Sequence, residues 1–359
     1  LAAYVGGATS GAVATQARAE LASNTTLLRS NLEVFNDQLI DSARRLQGSF
    51  VSLLPQDGSI LVYPEERVLV ADTDTPTLRM GDLVLNNELQ AVDDFSSATG
   101  GVATIFVRDG DDFIRIATSL FTDDGTRAMG TTLARTHPAY ETILAGESYT
   151  GRAQLFGLDY MTQYEPLFDD NGEIVGILFT GLDYGAALTS LKDKLRELSI
   201  GNGGELLIID RGNATTPATF ALHRSLEGQP VADLLDADGE PLYGHLLSSE
   251  DGEYEITAVV DGDEVAMVAV DRTFEPWNWT IVAQQPVAEL QAAGSALAWK
   301  MALIALVVAG LIVAWLIVAS RRLVAQPLAR AVGFAEAVAN GDLNAQADAS
   351  ARGELGTLN

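Results

Sequence analysis

Cysteine is absent from all 359 residues. That excludes disulfide scaffolds, thiolate metal sites and cysteine nucleophiles. Positive charge is scarce: 22 Lys and Arg stand against 49 Asp and Glu, a formal net charge of −27. Phosphate-backbone binding needs clustered basic side chains, so nucleic acid is not an expected partner. Lys192, Lys194 and Lys300 are the only lysines, and such an acidic surface suits a salty medium, where screening weakens self-repulsion. His137, His223 and His245 are the only histidines and lie far apart, without metal-ligand spacing. Gly201–Gly204 lacks the second half of a phosphate loop. No metal, cofactor or catalytic constellation is therefore expected. What the chain has is apolar content: 47% hydrophobic residues can bury a sizeable core, over a length that fits two or three domains.

Met301–Ala319 is an uncharged run of 19 residues. At about 1.5 Å of rise per residue it covers nearly the hydrocarbon thickness of a bilayer. Trp299 and Trp315 lie near its ends as interfacial anchors. Arg321, Arg322 and Arg330 follow, so the positive-inside bias puts 321–359 in the cytoplasm and 15–298 outside, with a transmembrane helix over 299–320. The run Leu1–Val13 is too short to span. It reads as the end of a first span (1–14), with a signal-peptide remnant or a buried helix as the alternatives.

Residues 15–54 predict one long amphipathic helix. Leu28, Leu32, Phe35, Leu39, Leu46 and Leu53 recur in a four-three rhythm, with Ala43 and Phe50 filling its drift. Such a stripe serves a dimer seam, a lid, or packing on the helix's own sheet. Residues 55–198 change to short alternating runs with turns between them, at Asp109-Gly110-Asp111 and Asp169-Asp170-Asn171-Gly172. Asn-Gly between apolar runs is a hairpin signal, which explains the second turn better than a calcium loop does. His137 before Pro138 marks a turn or the start of a short helix. Residues 199–290 repeat the order: a strand at 205–210, a hairpin about Asp261-Gly262-Asp263, and a last strand at 277–284. The expected fold class is α+β, with two tandem antiparallel-sheet modules behind a long N-terminal helix.

Arg115 stands in an otherwise apolar strand, Phe113–Leu120. A charge there either faces solvent or meets an anion. Strict alternation places Phe113, Arg115, Ala117 and Ser119 on one face and Thr118 on the other. Tyr160, Thr162 and Tyr164 share a face of the next hairpin and offer hydroxyls and aromatic walls, with Tyr149 and Arg152 just upstream. These residues line a small polar ligand site, or else belong to surface and sheet packing. Asp183 closes the last strand, where it caps the helix that follows or joins the site.

The segments DDFIRIATSL (111–120), GTRAMGTTL (125–133), YTGRAQLFGLDYMTQYEPL (149–167) and GEIVGILFTGLDY (172–184) resemble the Cache superfamily of extracytoplasmic sensors, in particular the fusion of a type-3 with a type-2 Cache module. IGNGGELLIID (200–210) is a looser match. The tail 321–359 resembles a HAMP relay domain: Pro327, Gly341-Asp342-Leu343, Glu354 and Gly356 stand where that pattern has them. The resemblance implies PAS-like modules, membrane-distal over 55–198 and membrane-proximal over 199–290, followed by a partial HAMP domain. It also implies a homodimer in a bacterial inner membrane and a small ligand: an organic acid, amino acid, amine or purine. In related tandem Cache sensors a last-strand Asp receives a ligand amine, a role that would fall to Asp183. Receptors of this layout are mostly methyl-accepting chemotaxis proteins, and less often sensor histidine kinases or cyclases.

Overall fold

The computed structural model describes residues 2–56, 58–198, 200–201, 203–213, 215–236, 238–247, 251–260 and 263–340. The Gly341-Asp342-Leu343 break, Glu354 and Gly356 lie outside them, as does the Asp261-Gly262 turn. The chain divides into two compact units, residues 21–285 and residues 1–20 with 286–359.

The elements of the first unit are α1 (Ala2–Val51, which begins in the second unit), β1 (Ile60–Val70), β2 (Thr73–Met80), β3 (Leu83–Val84), α2 (Gln90–Thr99), β4 (Val102–Asp109), β5 (Asp112–Thr118), α3 (Pro138–Leu144), β6 (Tyr149–Leu155), β7 (Leu158–Phe168), β8 (Ile174–Asp183), α4 (Gly185–Arg196), β9 (Glu205–Asp210), β10 (Thr219–Leu222), β11 (Glu253–Val260), β12 (Asp263–Phe274) and β13 (Trp279–Pro286). The two large sheets have the orders β5-β4-β8-β7-β6 and β10-β9-β13-β12-β11. Ranked along the chain within each sheet, both read second, first, fifth, fourth, third. The modules are two copies of one topology, as the repeated order of signals predicts. A three-stranded sheet, β1-β2-β3, and the helix α2 are additions that the sequence pattern did not reveal.

The stripe on α1 packs on the helix's own unit, except that Leu53 lies past the helix end at Val51 and is exposed. Leu21, Leu28, Leu32, Leu39, Ala43 and Phe50 are buried. Burying each Leu or Phe contributes about 1.5–3 kcal/mol. Polar residues in the same row are buried too, and each finds a partner. Asn36 Oδ1 accepts the Trp277 indole N–H (2.8 Å), and Gln47 bonds both Thr180 and Glu165. One face of the first large sheet meets α1 and α2 through Phe50, Phe95, Ile105 and Leu178. The opposite face carries Phe106, Phe113, Tyr160, Tyr164 and Phe179, with Tyr140 of α3 in the same cluster.

Residues 130–133 run beside β5 as an added edge. The Arg115 N–H donates to the Thr131 carbonyl, Gly130 N–H to the Arg115 carbonyl, and Leu133 N–H to the Phe113 carbonyl. Gly130 has φ +74, and a Cβ there would stand 2.9 Å from the Val70 carbonyl oxygen, so only glycine lets this segment lie down.

In the second unit, α5 (Val287–Ser320) leads through a single π-turn (Arg321–Ala325) to α6 (Gln326–Ala339). Pro327 has no N–H to return to the preceding turn, which accounts for the widening there. Residues 299–330 are long and apolar enough to cross a membrane; Leu306 is 72% and Trp315 68% exposed.

Candidate functional site

Arg115 projects from β5 onto the aromatic face. The strict alternation expected for this strand fails at one place. Ile105 pairs with Ala117 but Phe106 with Arg115, so Ile116 is the extra residue of a β-bulge. Thr118 is thereby turned onto the Arg115 face, opposite to expectation. Its hydroxyl lies 2.6 Å from that of Thr104, while Ala117 joins the other core.

The Arg115 side chain is 8% exposed. Its guanidinium carbon stands 5.0 Å over the Phe106 ring, and Nη1 donates to the Thr131 hydroxyl. Nε is buried without a hydrogen-bond partner among the described residues, and none of their carboxylates is ion-paired with this cation. A cation in this setting is costly to bury. Burial pulls the Arg115 pKa below its ordinary value.

Around it lie three rings from three elements. The centroid distances are 5.3 Å for His137–Tyr164, 5.8 Å for His137–Tyr149 and 6.0 Å for Tyr149–Tyr164; Phe179 backs Tyr164 at 4.8 Å. Burial, followed by the Arg115 charge, lowers the His137 pKa. Its Nδ1 accepts the Ala139 N–H (3.1 Å) and caps α3, which leaves Nε2–H as the donor of the neutral ring. Burial raises the phenols of Tyr149 and Tyr164, so both stay neutral. Gly151 makes room for Tyr149, since a Cβ there would stand 2.3 Å from the Tyr149 hydroxyl oxygen. The cluster is one fixed positive charge, a neutral imidazole and neutral phenols, an arrangement chemically suited to holding an anion.

Of the other predicted residues, Tyr160 lies in the same aromatic core. Thr162 is buried and donates to the Gly151 carbonyl (2.7 Å). Asp183 is exposed and accepts the Gly185 N–H (2.8 Å) from one residue before the α4 N-cap, Tyr184, which has no side-chain cap bond of its own. Asp183 lines a separate cleft of about 380 Å³ with Asp159, Lys192 and Glu227. Arg152 is not in the cluster. It points to the opposite face of β6, where Nε donates to Tyr184 Oη (2.8 Å) and the guanidinium lies 4.3 Å from the Trp277 ring centroid. His137 and Thr131 join the site without having been singled out for it; the only sequence hint was a His-Pro helix start.

A larger open cleft, about 900 Å³, lies in the second module between Asp236, Glu240, His245, Glu253 and Glu255. Its acidic rim holds no buried polar atom that lacks a partner. Among the described residues no group of three or more His, Asp or Glu is placed to hold a metal ion.

Two tandem sheets of one strand order follow one long helix, and the first holds a buried cation. The chain belongs to the Cache 3/Cache 2 fusion domain family, whose model matches residues 8–298. Among solved structures it is similar to the ligand binding domain of Mlp24 with asparagine (12% identity, 79% of this chain and 98% of that one, TM-score 0.48). It is also similar to the periplasmic sensory domain of the Campylobacter jejuni chemoreceptor Tlp1 (16%, 77% and 98%, 0.42) and to the ligand binding domain of the Pseudomonas aeruginosa PAO1 amino acid chemoreceptor PctC in complex with GABA (14%, 74% and 97%, 0.43). No curated protein matches the sequence.

Proposed function

We propose that this chain is the sensing part of a transmembrane chemoreceptor of the methyl-accepting type, and that its first module captures a small organic anion on Arg115. One observation carries the reading: a nearly fully buried guanidinium whose Nε has no partner, among rings that stay neutral. A ligand carboxylate would supply the missing acceptor and the missing charge together. Of the four ligand classes the resemblance implies, this favours an organic acid, or an amino acid held by its carboxylate end. An amine finds no anionic partner in the cluster. Tyr149, Tyr164 and His137 would wall the ligand and donate to it, with Tyr160 behind them; Thr118 and Thr162 would shape the floor through the bonds they already make.

In this reading residues 299–320 cross the inner membrane, with 15–298 outside and the arginines at 321 and 322 in the cytoplasm. The segment from Arg321 would pass the signal on as a HAMP domain in a homodimer. Binding shifts the output only through differential affinity for two receptor states.

A thermal-shift screen tests the capture step, because a ligand that binds only the folded state raises the midpoint. The expected result is a rise with acetate, pyruvate, malate or an α-amino acid and none with putrescine or adenine. A rise confined to amines or purines would contradict the anion assignment.

A further inference from the structure

Arg152 joins strand β6 of the first module to Trp277, beside the second sheet. Strand β6 carries Tyr149 on the aromatic face and, three residues on, Arg152 on the opposite face. It is an edge strand, hydrogen-bonded only to β7. Its Arg152 end is gripped by residues far away in sequence. Nε donates to Tyr184 Oη (2.8 Å), Nη1 to the Trp277 carbonyl (3.4 Å), and the guanidinium lies 4.3 Å from the Trp277 ring centroid and 5.7 Å from that of Trp279. Trp277 is 3% exposed and is itself fixed on every side. Its indole N–H donates to Asn36 of α1, and its ring meets Phe35, Tyr184, Phe274 and Trp279 at centroid distances between 4.7 and 6.0 Å. Two residues after Trp277, β13 begins. It is the middle strand of the second sheet and runs directly into α5 with Pro286 as the helix cap.

We infer that Arg152 is the positioning residue that passes a change of the first-module site to β13, by clamping β6 onto Trp277. The trigger rests on the anion-capture reading above; the clamp does not. An anion on Arg115 must be accommodated among Tyr149, Tyr164 and His137, so the edge strand that carries Tyr149 is the part free to shift. Movement of β6 then has to move Trp277 or break a planar stacked contact. A packed aromatic bracket has few intermediate arrangements. Lysine would keep the charge but lose the flat fork that both stacks and hydrogen-bonds.

The chain has four tryptophans, at 277, 279, 299 and 315. With Trp299→Phe and Trp315→Phe in the full chain in nanodiscs, all indole emission comes from the bracket. The test uses two site changes that leave β6 untouched, Tyr164→Leu and His137→Ala, in the presence and absence of Arg152. With Arg152, each is expected to shift the emission maximum or acrylamide quenching of Trp277 and Trp279. With Arg152→Met, the same changes should leave emission where Arg152→Met alone puts it; Arg152→Lys serves if the Met variant does not fold. Equal shifts with and without Arg152, or no shift in either, would overturn the clamp. Titration with acetate and pyruvate separates the two readings. A thermal shift without any emission change sinks the clamp and leaves capture standing. No thermal shift sinks capture, and the site variants still decide the clamp.

Discussion

The two large sheets share one strand order and differ in the buried polar atom each leaves without a partner among the described residues: a cationic nitrogen, Arg115 Nε, in the first and a carboxyl oxygen, Asp271 Oδ2, in the second. Apart from Asp271 Oδ2, the second module's inner polar groups Tyr243, Gln284, Glu205 and His223 are bonded to one another or to the backbone. Tyr243 donates to Gln284 Oε1 (2.8 Å), Gln284 Nε2 donates to Glu205 (2.6 Å), and His223 Nδ1 accepts the Ser225 and Leu226 amides. In the first module Arg115 is left with a buried, unpartnered Nε and no opposing carboxylate among the described residues. A satisfied network rigidifies a core. An unsatisfied one waits for a group that the chain does not supply. On the anion-capture reading proposed above, the unpaired cation makes the first module the receptor and the second the structural link.

Four changes would break or sharpen that contrast. The largest effect is expected from Arg115→Met. Removing a buried, hydrogen-bonded charge partner costs about 2–5 kcal/mol of binding, so carboxylate affinity measured by calorimetry should fall at least about 30-fold. The ligand-free protein should lose no stability, because an unpaired buried charge goes with the side chain. Gln284→Leu should do the reverse. It strands Tyr243 and Glu205 inside the second module and costs about 1–3 kcal/mol in urea unfolding, with carboxylate affinity unchanged. Gly151→Ala should displace the Tyr149 ring and weaken carboxylate binding several-fold, less than the loss of Arg115. The same substitution at Gly252, whose Cβ would meet the Tyr254 hydroxyl in the second module, should not affect binding.

The smallest effects are in the pH dependence, and they have opposite signs in the two modules. His137 has a folded pKa below the usual 6.5, so the unfolded chain takes up its proton first. Its contribution to stability is present above about 6.5 and is lost as the pH falls through that range toward the folded value. Asp271 in β12 is fully buried, and burial raises its pKa from 3.8 to about 6. The folded chain therefore keeps that proton where the unfolded chain has released it, and its contribution is full below 3.8 and lost as the pH rises through about 6. Denaturation series across this range should show His137→Asn flattening the acid-side loss and Asp271→Asn flattening the loss on the rising side.

Much of this architecture was legible in the chain. The four-three rhythm of α1, the Asp-Gly and Asn-Gly hairpins, the repeated order of signals and the apolar run before Arg321 each reflect a local rule with one dominant solution. The parts that were not legible depend on distant or single-residue events. Strand β1 contains Pro64, Glu65 and Glu66 and is mostly exposed, so its apolar alternation is interrupted. Helix α2 has Leu89 as its N-cap, without a side-chain cap bond. The bulge at Ile116 has no sequence signature, yet it moved Thr118 to the other face. Arg115 drew attention because a charge in an apolar strand demands an explanation. Arg152 looked equivalent, but its main partner is 125 residues away, and proximity to Tyr149 in the sequence said nothing about the face it takes.

Amide hydrogen exchange on the whole chain, with and without the carboxylate that gives the largest thermal shift, tests the division of labour between the modules most directly. The account predicts slowed exchange over 113–118, 130–137 and 149–164, with the acidic cleft strands at 253–257 unchanged. Slowed exchange confined to the second sheet, with the Arg115 strand unaffected, would contradict it.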